Sequence, residues 1–169
     1  MRLIPFDRFS FVSSKTQEEL AAILSAKIAR RQFRLFSKPS EPYVGTASQS
    51  GFKIQRVIGY RNSFLPVIVG RFGPRHDGTR IDVVQRLHYV VATFMLFWFS
   101  SVIAFLGLVL FGVGVNGATG EAGLLAGVLL PLFMLIFGWA LVTGGFWLGA
   151  RHTKEDLRLL FDARDLPEA

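Results

Sequence analysis

The chain has no cysteine and almost no charge through its long apolar stretch. The absence of Cys among 169 residues excludes a disulfide-stapled fold. Between His88 and Ala150, 63 residues contain a single formally charged side chain, Glu121. The other 106 residues carry 30 of the 31 Lys, Arg, Asp and Glu. This division excludes an intrinsically disordered chain and a purely soluble enzyme.

Two uncharged segments are long enough to cross a membrane as helices. Residues 89–114 and 122–149 carry no formal charge. At about 1.5 Å per helical residue, each exceeds a hydrocarbon core of roughly 30 Å. A Gly-rich turn, Asn116–Glu121, separates them. The pattern predicts a transmembrane helical hairpin over residues 88–150.

Cations near the membrane ends predict the orientation of the hairpin. Lys and Arg favour the cytoplasmic side of a membrane, and the turn of the hairpin has neither. Both termini are therefore expected in the cytoplasm. The chain start lacks the apolar core of a cleaved signal peptide, so the hairpin itself should direct insertion. Four cations beside the spans are expected to contact anionic lipid headgroups: Arg80, Arg86, Arg151 and Lys154.

Four glycines have the spacing that allows close packing of helices in lipid. They form two pairs at i and i+4, Gly123 with Gly127 and Gly145 with Gly149. Such pairs serve either the packing of the hairpin on itself or a homo-oligomer interface. Both alternatives stay open.

Residues 1–87 form the predicted basic cytosolic domain, with 15 Lys and Arg against 6 Asp and Glu. The predicted order is a strand over 6–12, an amphipathic helix over 16–31, and then short strands separated by turns. Residues 151–169 should add a short amphipathic helix that starts at Thr153 and Asp156 and docks on this domain. The predicted fold class is an α+β membrane protein, in which an antiparallel β meander of about five to six strands accompanies these helices and the hairpin.

The last predicted strand, residues 79–87, alternates apolar and charged side chains. Ile81 and Val83 alternate with Arg80 and Asp82. Because successive side chains of a strand point to opposite faces of the sheet, one face should meet the core. The other face should meet water or a partner.

Candidate catalytic and metal-binding groups are few. His88 and His152 flank the hairpin and would meet at its cytosolic boundary as a metal or pH-sensing pair, although simple interfacial polar roles fit them as well. The segment Gly112–Gly117 matches the dinucleotide fingerprint but lacks the strand and βαβ unit that it requires. No catalytic constellation is found. We therefore expect a non-enzymatic protein without a cofactor.

One segment of the sequence resembles a pattern found in other proteins. Gly59–Phe72, with the sequence GYRNSFLPVIVGRF, precedes a Gly turn, a charged strand and a Phe/Trp-rich span. Over roughly residues 50–100 the chain resembles a family of small uncharacterised bacterial inner-membrane proteins with a cytosolic α+β domain and a two-helix hairpin. The resemblance implies a bacterial cytoplasmic membrane and supplies no activity or site residues.

Two functional hypotheses follow. The first is a membrane-anchored interaction or accessory module, whose partners are the anionic inner leaflet and either a protein or a second copy bound through the hairpin. The alternative is an oligomeric membrane protein that responds to a lipid or small ligand, as a sensor or a defence-type effector. Nucleic acid is a disfavoured partner, because the basic residues are scattered and no recognised reading motif accompanies them.

Overall fold

The computed structural model describes residues 4–29, 41–57, 62–116 and 121–166. The chain divides into two compact units. The first, which we call the sheet unit, combines Met1–His88 with Gly145–Ala169, and the second, the hairpin unit, comprises Tyr89–Gly144.

The predicted α+β class is confirmed. The described elements are, in chain order, β1 (Phe6–Ser13), α1 (Gln17–Ser25), β2 (Tyr43–Ser48), β3 (Gly51–Arg56), β4 (Val67–Arg75), β5 (Gly78–Arg86), α2 (Tyr89–Asn116), α3 (Glu121–Leu160) and β6 (Ala163–Asp165). The strands form one antiparallel sheet in the order β2-β3-β4-β5-β1-β6. The meander from β2 to β5 agrees with the prediction, and β1 closes against β5.

Helix α1 begins with a capping box, as its sequence indicates. The amide of Glu19 donates to Thr16 Oγ1 (3.3 Å), and the amide of Thr16 donates to Glu19 Oε2 (2.8 Å). These two bonds satisfy amides that the helix leaves without an internal partner. The hydrogen bond from the Thr16 backbone, with help from the Thr16 hydroxyl, holds the pKa of Glu19 below its usual value.

The predicted end of this helix at residue 31 is wrong. The helix stops at Ser25, and Ile28 forms a parallel bridge with Tyr43 of β2. Backbone bonds from Ala29 to Tyr43 (2.8 Å) and from Tyr43 to Lys27 (3.3 Å) hold the chain against the sheet edge. Pairing with the sheet therefore replaces further helical turns. Residues 30–40 lie outside the described part, and they include the last two residues of the predicted helix, Arg30 and Arg31.

One face of the sheet, which we call the inner face, carries the core. Helix α1 and the last turns of α3 both pack there. Their apolar side chains join those of the strands in a single cluster: Phe9, Phe11, Leu20, Ala21, Leu24, Tyr43, Phe52, Ile54, Ile68, Phe72, Ile81, Val83, Leu157, Phe161 and Ala163. Burial of this apolar surface is the main force that stabilises the sheet unit. The phenylalanine rings of this cluster pack against one another, with the centroids of neighbouring rings 4.9–6.1 Å apart.

Helix α3 is a single helix of 40 residues, which corrects the predicted separate C-terminal helix. Thr153, the expected N-cap of that helix, instead donates its hydroxyl to the carbonyl of Gly149 (2.9 Å). This bond to residue i−4 is one that a threonine makes inside a helix. The sequence changes from apolar to charged at Arg151, but a change of composition does not interrupt the backbone.

The C-terminal part of α3 is held to the edge of the sheet by polar contacts as well as by the core. Arg56 of β3 forms an ion pair with Asp156 (3.1 Å), and the Asp156 carboxylate is also bonded to the Tyr43 hydroxyl. Burial, followed by the charge of Asp156, raises the pKa of Tyr43 to about 12. Tyr43 therefore stays protonated and able to donate this bond across the neutral range.

Strand β6 follows α3 directly and has no counterpart in the sequence prediction. Asp162, with φ of 48°, reverses the chain, and Ala163 then pairs with Ser13 of β1. The Ser13 hydroxyl donates to the carbonyl of Phe161 (2.7 Å) and satisfies a group at the helix end. A strand of three residues is too short to give an alternating pattern.

The hairpin unit contains α2 and the first part of α3. Gly138 lets the ring of Trp98 approach its backbone, since a Cβ there would lie 2.5 Å from Trp98 Cζ3. Gly127 faces Val109 in the same way, with 3.0 Å to its Cγ1. Both helices are long and apolar enough to cross a membrane, with mean hydropathy of 2.4 in each. Within the described chain, only 6% and 17% of their most apolar stretches are buried.

Candidate interaction surface

The strand registers place a second set of side chains on the face of the sheet opposite the core, which we call the open face. Val69 of β4 lies between Lys53 of β3 and Val84 of β5, and Arg71 lies beside Asp82. Within the described sheet unit, both helical segments pack on the inner face. The cationic side chains of the open face are exposed, and its three central valines, Val12, Val69 and Val84, are half-buried.

The open face is strongly basic. Seven cationic residues have the strand register that points them to this face: Arg8, Lys53, Arg71, Arg75, Arg80, Arg86 and Arg164. Among the described residues, ion pairs on this face join Arg80 to Asp82 (2.9 Å) and Arg75 to Asp77 in the β4–β5 turn (2.8 Å). The face therefore carries a large excess of positive charge, spread over five strands.

Asp82 is the carboxylate within the strands of this basic face. It accepts hydrogen bonds from the Ser10 hydroxyl (2.5 Å) and from Arg80 Nε (2.9 and 3.1 Å). Partial burial favours the neutral acid, but the bonds from Ser10 and Arg80 together outweigh it and hold the pKa of Asp82 below its usual value. Asp82 is therefore ionised across the neutral range, and it fixes the side chains of Ser10 and Arg80.

The Ser10 hydroxyl should be the group whose removal shifts the titration of Asp82. We expect Ser10→Ala to raise the pKa of Asp82, because the bond that favours the carboxylate is lost while its burial remains. A lowered pKa in the folded state contributes stability above the ordinary aspartate pKa, and that stability is lost as the pH falls through the folded-state pKa. Carboxyl carbon chemical shifts in an aspartate-labelled sample would measure the change. Ser48→Ala, on β2, is the matched control, and equal titration curves for both variants would contradict the assignment.

The four predicted lipid-contacting cations do not form one group. Arg80 and Arg86 share the open face but are six residues apart on β5, which corresponds to about 20 Å along a strand. Arg151 is exposed on α3. The Nζ atom of Lys154 lies 3.6 Å from Asp165 Oδ1 and 5.1 Å from the ring centroid of Phe9, a residue of the inner face.

Two of the four predicted packing glycines, Gly145 and Gly149, lie against the segment that precedes β4. A Cβ on Gly145 would lie 3.0 Å from Phe64 Cβ, and one on Gly149 would lie 2.8 Å from Leu65 Cδ2. The side-chain Nδ2 of Asn62 also donates to the backbone carbonyl of Gly145 (3.2 Å). These glycines let the segment before β4 lie directly against α3.

The other two predicted glycines lie in the hairpin unit. Gly127 faces Val109 of α2. The side-chain surroundings of Gly123 fall outside the described part of the chain. Gly138, whose backbone contacts the Trp98 ring, has no second glycine at i±4. The spacing of paired small residues therefore does not predict its contact.

The predicted histidine pair has one member whose surroundings are defined. His152 is exposed, and its Nδ1 lies 2.7 Å from the carbonyl of Leu148 one turn earlier in α3. His88 lies just before α2. Over residues 4–29, 41–57, 62–116 and 121–166, no group of three or more His, Asp or Glu is placed to hold a metal ion.

A buried amide on the inner face is a polar feature that the sequence pattern does not predict. Gln85 is fully buried at the end of β5, and its Nε2 donates to the carbonyl of Ala150 (3.3 Å). Its Oε1 has no protein partner among the described residues. The bond to Ala150 holds α3 to the sheet at the point where the helix enters the sheet unit.

Most of the open face also escapes sequence reasoning. The alternation in β5 predicts that Arg80, Asp82 and Arg86 share a face, but Lys53, Arg71 and Arg164 join them only through cross-strand register.

We find no family model, curated protein or solved structure that matches this chain, so its functional interpretation rests on the geometry of this surface and of the two apolar helices.

Proposed function

We propose that the protein is a membrane-anchored, non-enzymatic interaction module of the bacterial cytoplasmic membrane. Helices α2 and α3 cross the bilayer, both termini lie in the cytoplasm, and the open face binds an acidic surface of a partner protein. The observation that carries this proposal is the set of seven cations on one side of the sheet, away from the core.

The exposure of the apolar helices supports membrane anchoring. In α2, bulky side chains such as Leu96, Phe97, Leu108 and Phe111 are 69–72% exposed. A soluble protein rarely leaves so much contiguous apolar surface in water. A bilayer solvates this surface, and the internal hydrogen bonds of each helix satisfy its backbone there.

The layout of the open face favours a protein partner. Half-buried valines occupy its centre and cations surround them, which resembles the apolar core and polar rim of a protein–protein interface. Complementary charge on the partner would accelerate the encounter and fix its orientation. Proteins that bind single-stranded nucleic acid place several aromatic rings for base stacking, whereas Phe6 is the aromatic residue on the described open face.

Photocrosslinking in cells tests this proposal. A photoreactive amino acid at Val69, in the centre of the open face, should form a discrete adduct with one protein. The same residue at Leu159, which is 76% exposed on α3, should not form that adduct. The double variant Lys53→Glu/Arg71→Glu should abolish the Val69 adduct, because it reverses two charges beside the probe. Lys27→Glu, which reverses one exposed cation away from the open face, controls for charge reversal elsewhere on the protein.

The identity and salt dependence of the adduct decide the outcome. The partner identified by mass spectrometry should bind the purified full-length protein, and its affinity should fall as salt is raised. Adducts with lipid or nucleic acid alone at Val69 would contradict a protein partner. A Val69 adduct that survives the double charge reversal would contradict recognition by the basic face.

A further inference from the structure

One end of the sheet combines exposed apolar side chains with a cation. Ile4 is 70% exposed and Phe6 is 49% exposed, and the amide of Phe6 donates to the carbonyl of Ile4 (2.9 Å). Phe6 lies directly across from Arg86 in the β1–β5 register. The start of β1 therefore carries an exposed aromatic ring opposite an arginine, with an exposed aliphatic side chain two residues earlier.

The same cross-strand row extends to the far edge of the sheet. From Arg86 it continues through Val67 and Gln55 to Val44 of β2. Phe6 and Val44 are the large apolar side chains that the described strands leave exposed, and both lie in this row. The apolar exposure of the strands is thus confined to one end of the sheet.

This end of the sheet is separated from the first apolar helix by only a few residues of chain. Only Leu87 and His88 separate Arg86 from Tyr89, where α2 begins. Three residue steps span at most about 11 Å of extended chain. Neighbouring strands are only about 5 Å apart, so Phe6 lies at the same end of the sheet as Arg86.

We infer that Ile4 and Phe6 insert into the headgroup layer of the bilayer that holds α2, and that Arg86 binds anionic headgroups beside them. This inference rests on the membrane anchoring proposed above. Aromatic rings and aliphatic side chains gain by leaving water at the membrane interface, and a cation next to them gains by neighbouring anionic lipid. The contact would seat this end of the sheet on the membrane and leave the opposite end, with Arg80 and the β4–β5 turn, free for a partner.

The absence of native cysteine allows a direct test in the full-length protein. Ile4→Cys would be labelled with an environment-sensitive fluorophore in nanodiscs of equal parts phosphatidylcholine and phosphatidylglycerol that contain headgroup nitroxide lipid. We expect several-fold stronger quenching at residue 4 than at Asp77→Cys, which lies in the turn at the opposite end of β5. Equal quenching at the two positions would overturn the inference.

A third labelled position separates this inference from membrane anchoring itself. Phe133 is 61% exposed within the apolar stretch of α3, and Phe133→Cys should be quenched by acyl-chain nitroxide. Quenching at residue 133 without quenching at residue 4 would overturn the headgroup contact and leave the proposed anchoring intact. No quenching at residue 133 would overturn both. A residue-4 label that is shielded from water but insensitive to nitroxide lipid would point to a second copy or another protein, and would also overturn the inference.

A pair of arginine variants tests the role of charge. Arg86→Gln should reduce quenching at residue 4, and replacement of phosphatidylglycerol by phosphatidylcholine should reduce it to a similar extent. Arg80→Gln removes the same charge about 20 Å further along β5 and should leave the quenching unchanged. An equal loss in both variants would contradict a local contact of Arg86 with headgroups.

Discussion

Replacement of Phe161 by alanine should lower the free energy of unfolding of the sheet unit by about 3–5 kcal/mol. Phe161 is fully buried, and its ring centroid lies 5.9 Å from that of Phe52 and 6.1 Å from that of Phe72. The substitution removes both ring contacts and leaves a cavity between the end of α3 and the sheet. A loss of this size is a large fraction of the roughly 5–15 kcal/mol that stabilises a typical domain.

Leu159→Ala provides the matched control for the core. Leu159 lies in the last turn of α3, two residues before Phe161, but is 76% exposed, so its truncation should change stability by no more than about 0.5 kcal/mol. Hydrogen exchange of the strand amides, measured by mass spectrometry in detergent, would report the sheet unit separately from the apolar helices. Equal effects of the two substitutions would show that Phe161 does not join the helix to the core.

A single arginine in the apolar part of α3 should prevent stable membrane insertion of the hairpin. Ile136 is 67% exposed within the apolar stretch, so Ile136→Arg would place a charge against lipid. On insertion scales, exchange of an isoleucine for an arginine at the centre of a span costs about 3 kcal/mol. That cost corresponds to a decrease of roughly 150-fold in the insertion equilibrium.

Leu159→Arg controls for the added charge. It introduces the same side chain on the same helix, beyond the apolar stretch, and should leave insertion unchanged. Alkaline extraction of membranes would measure the integrated fraction, and glycosylation mapping of the α2–α3 connection would measure its translocation. Full retention of Ile136→Arg in the extracted membrane, with a translocated connection, would contradict a spanning role for α3.

The strands of the sheet could be located from the sequence, because local chemistry defines them. Turn residues separate short alternating runs, and β5 in particular alternates between buried residues such as Ile81 and exposed ones such as Arg80. The same alternation identifies which side of β5 faces the core. Errors arise where a local pattern meets a tertiary contact. The helical periodicity of the sequence continues past Ser25, but the helix ends there because Ile28 pairs with Tyr43 of the sheet.

The C-terminal region shows the same limit. Thr153 and Asp156 have the spacing of a helix start, but the helix is already formed when the chain reaches them, so both side chains serve other contacts. Thr153 bonds back to Gly149, and Asp156 bonds to Arg56 and Tyr43 of the sheet. Strand β6 exists because β1 offers an unpaired edge to residues 163–165, and no local property of those residues indicates this.

Local sequence patterns were enough to predict which segments are apolar enough to span a membrane, that the remainder is basic, and that the fold is α+β. These properties are local, since hydropathy and side-chain alternation are sums over neighbouring residues. Strand pairing in the folded chain brings Arg8, Lys53, Arg71 and Arg164 to one face. It also places Phe6, two residues after Ile4, beside Arg86 at one end of the sheet. That outcome depends on strand order and register. Both are set by pairing between residues distant in sequence, and a shift of one residue would move every side chain of a strand to the other face.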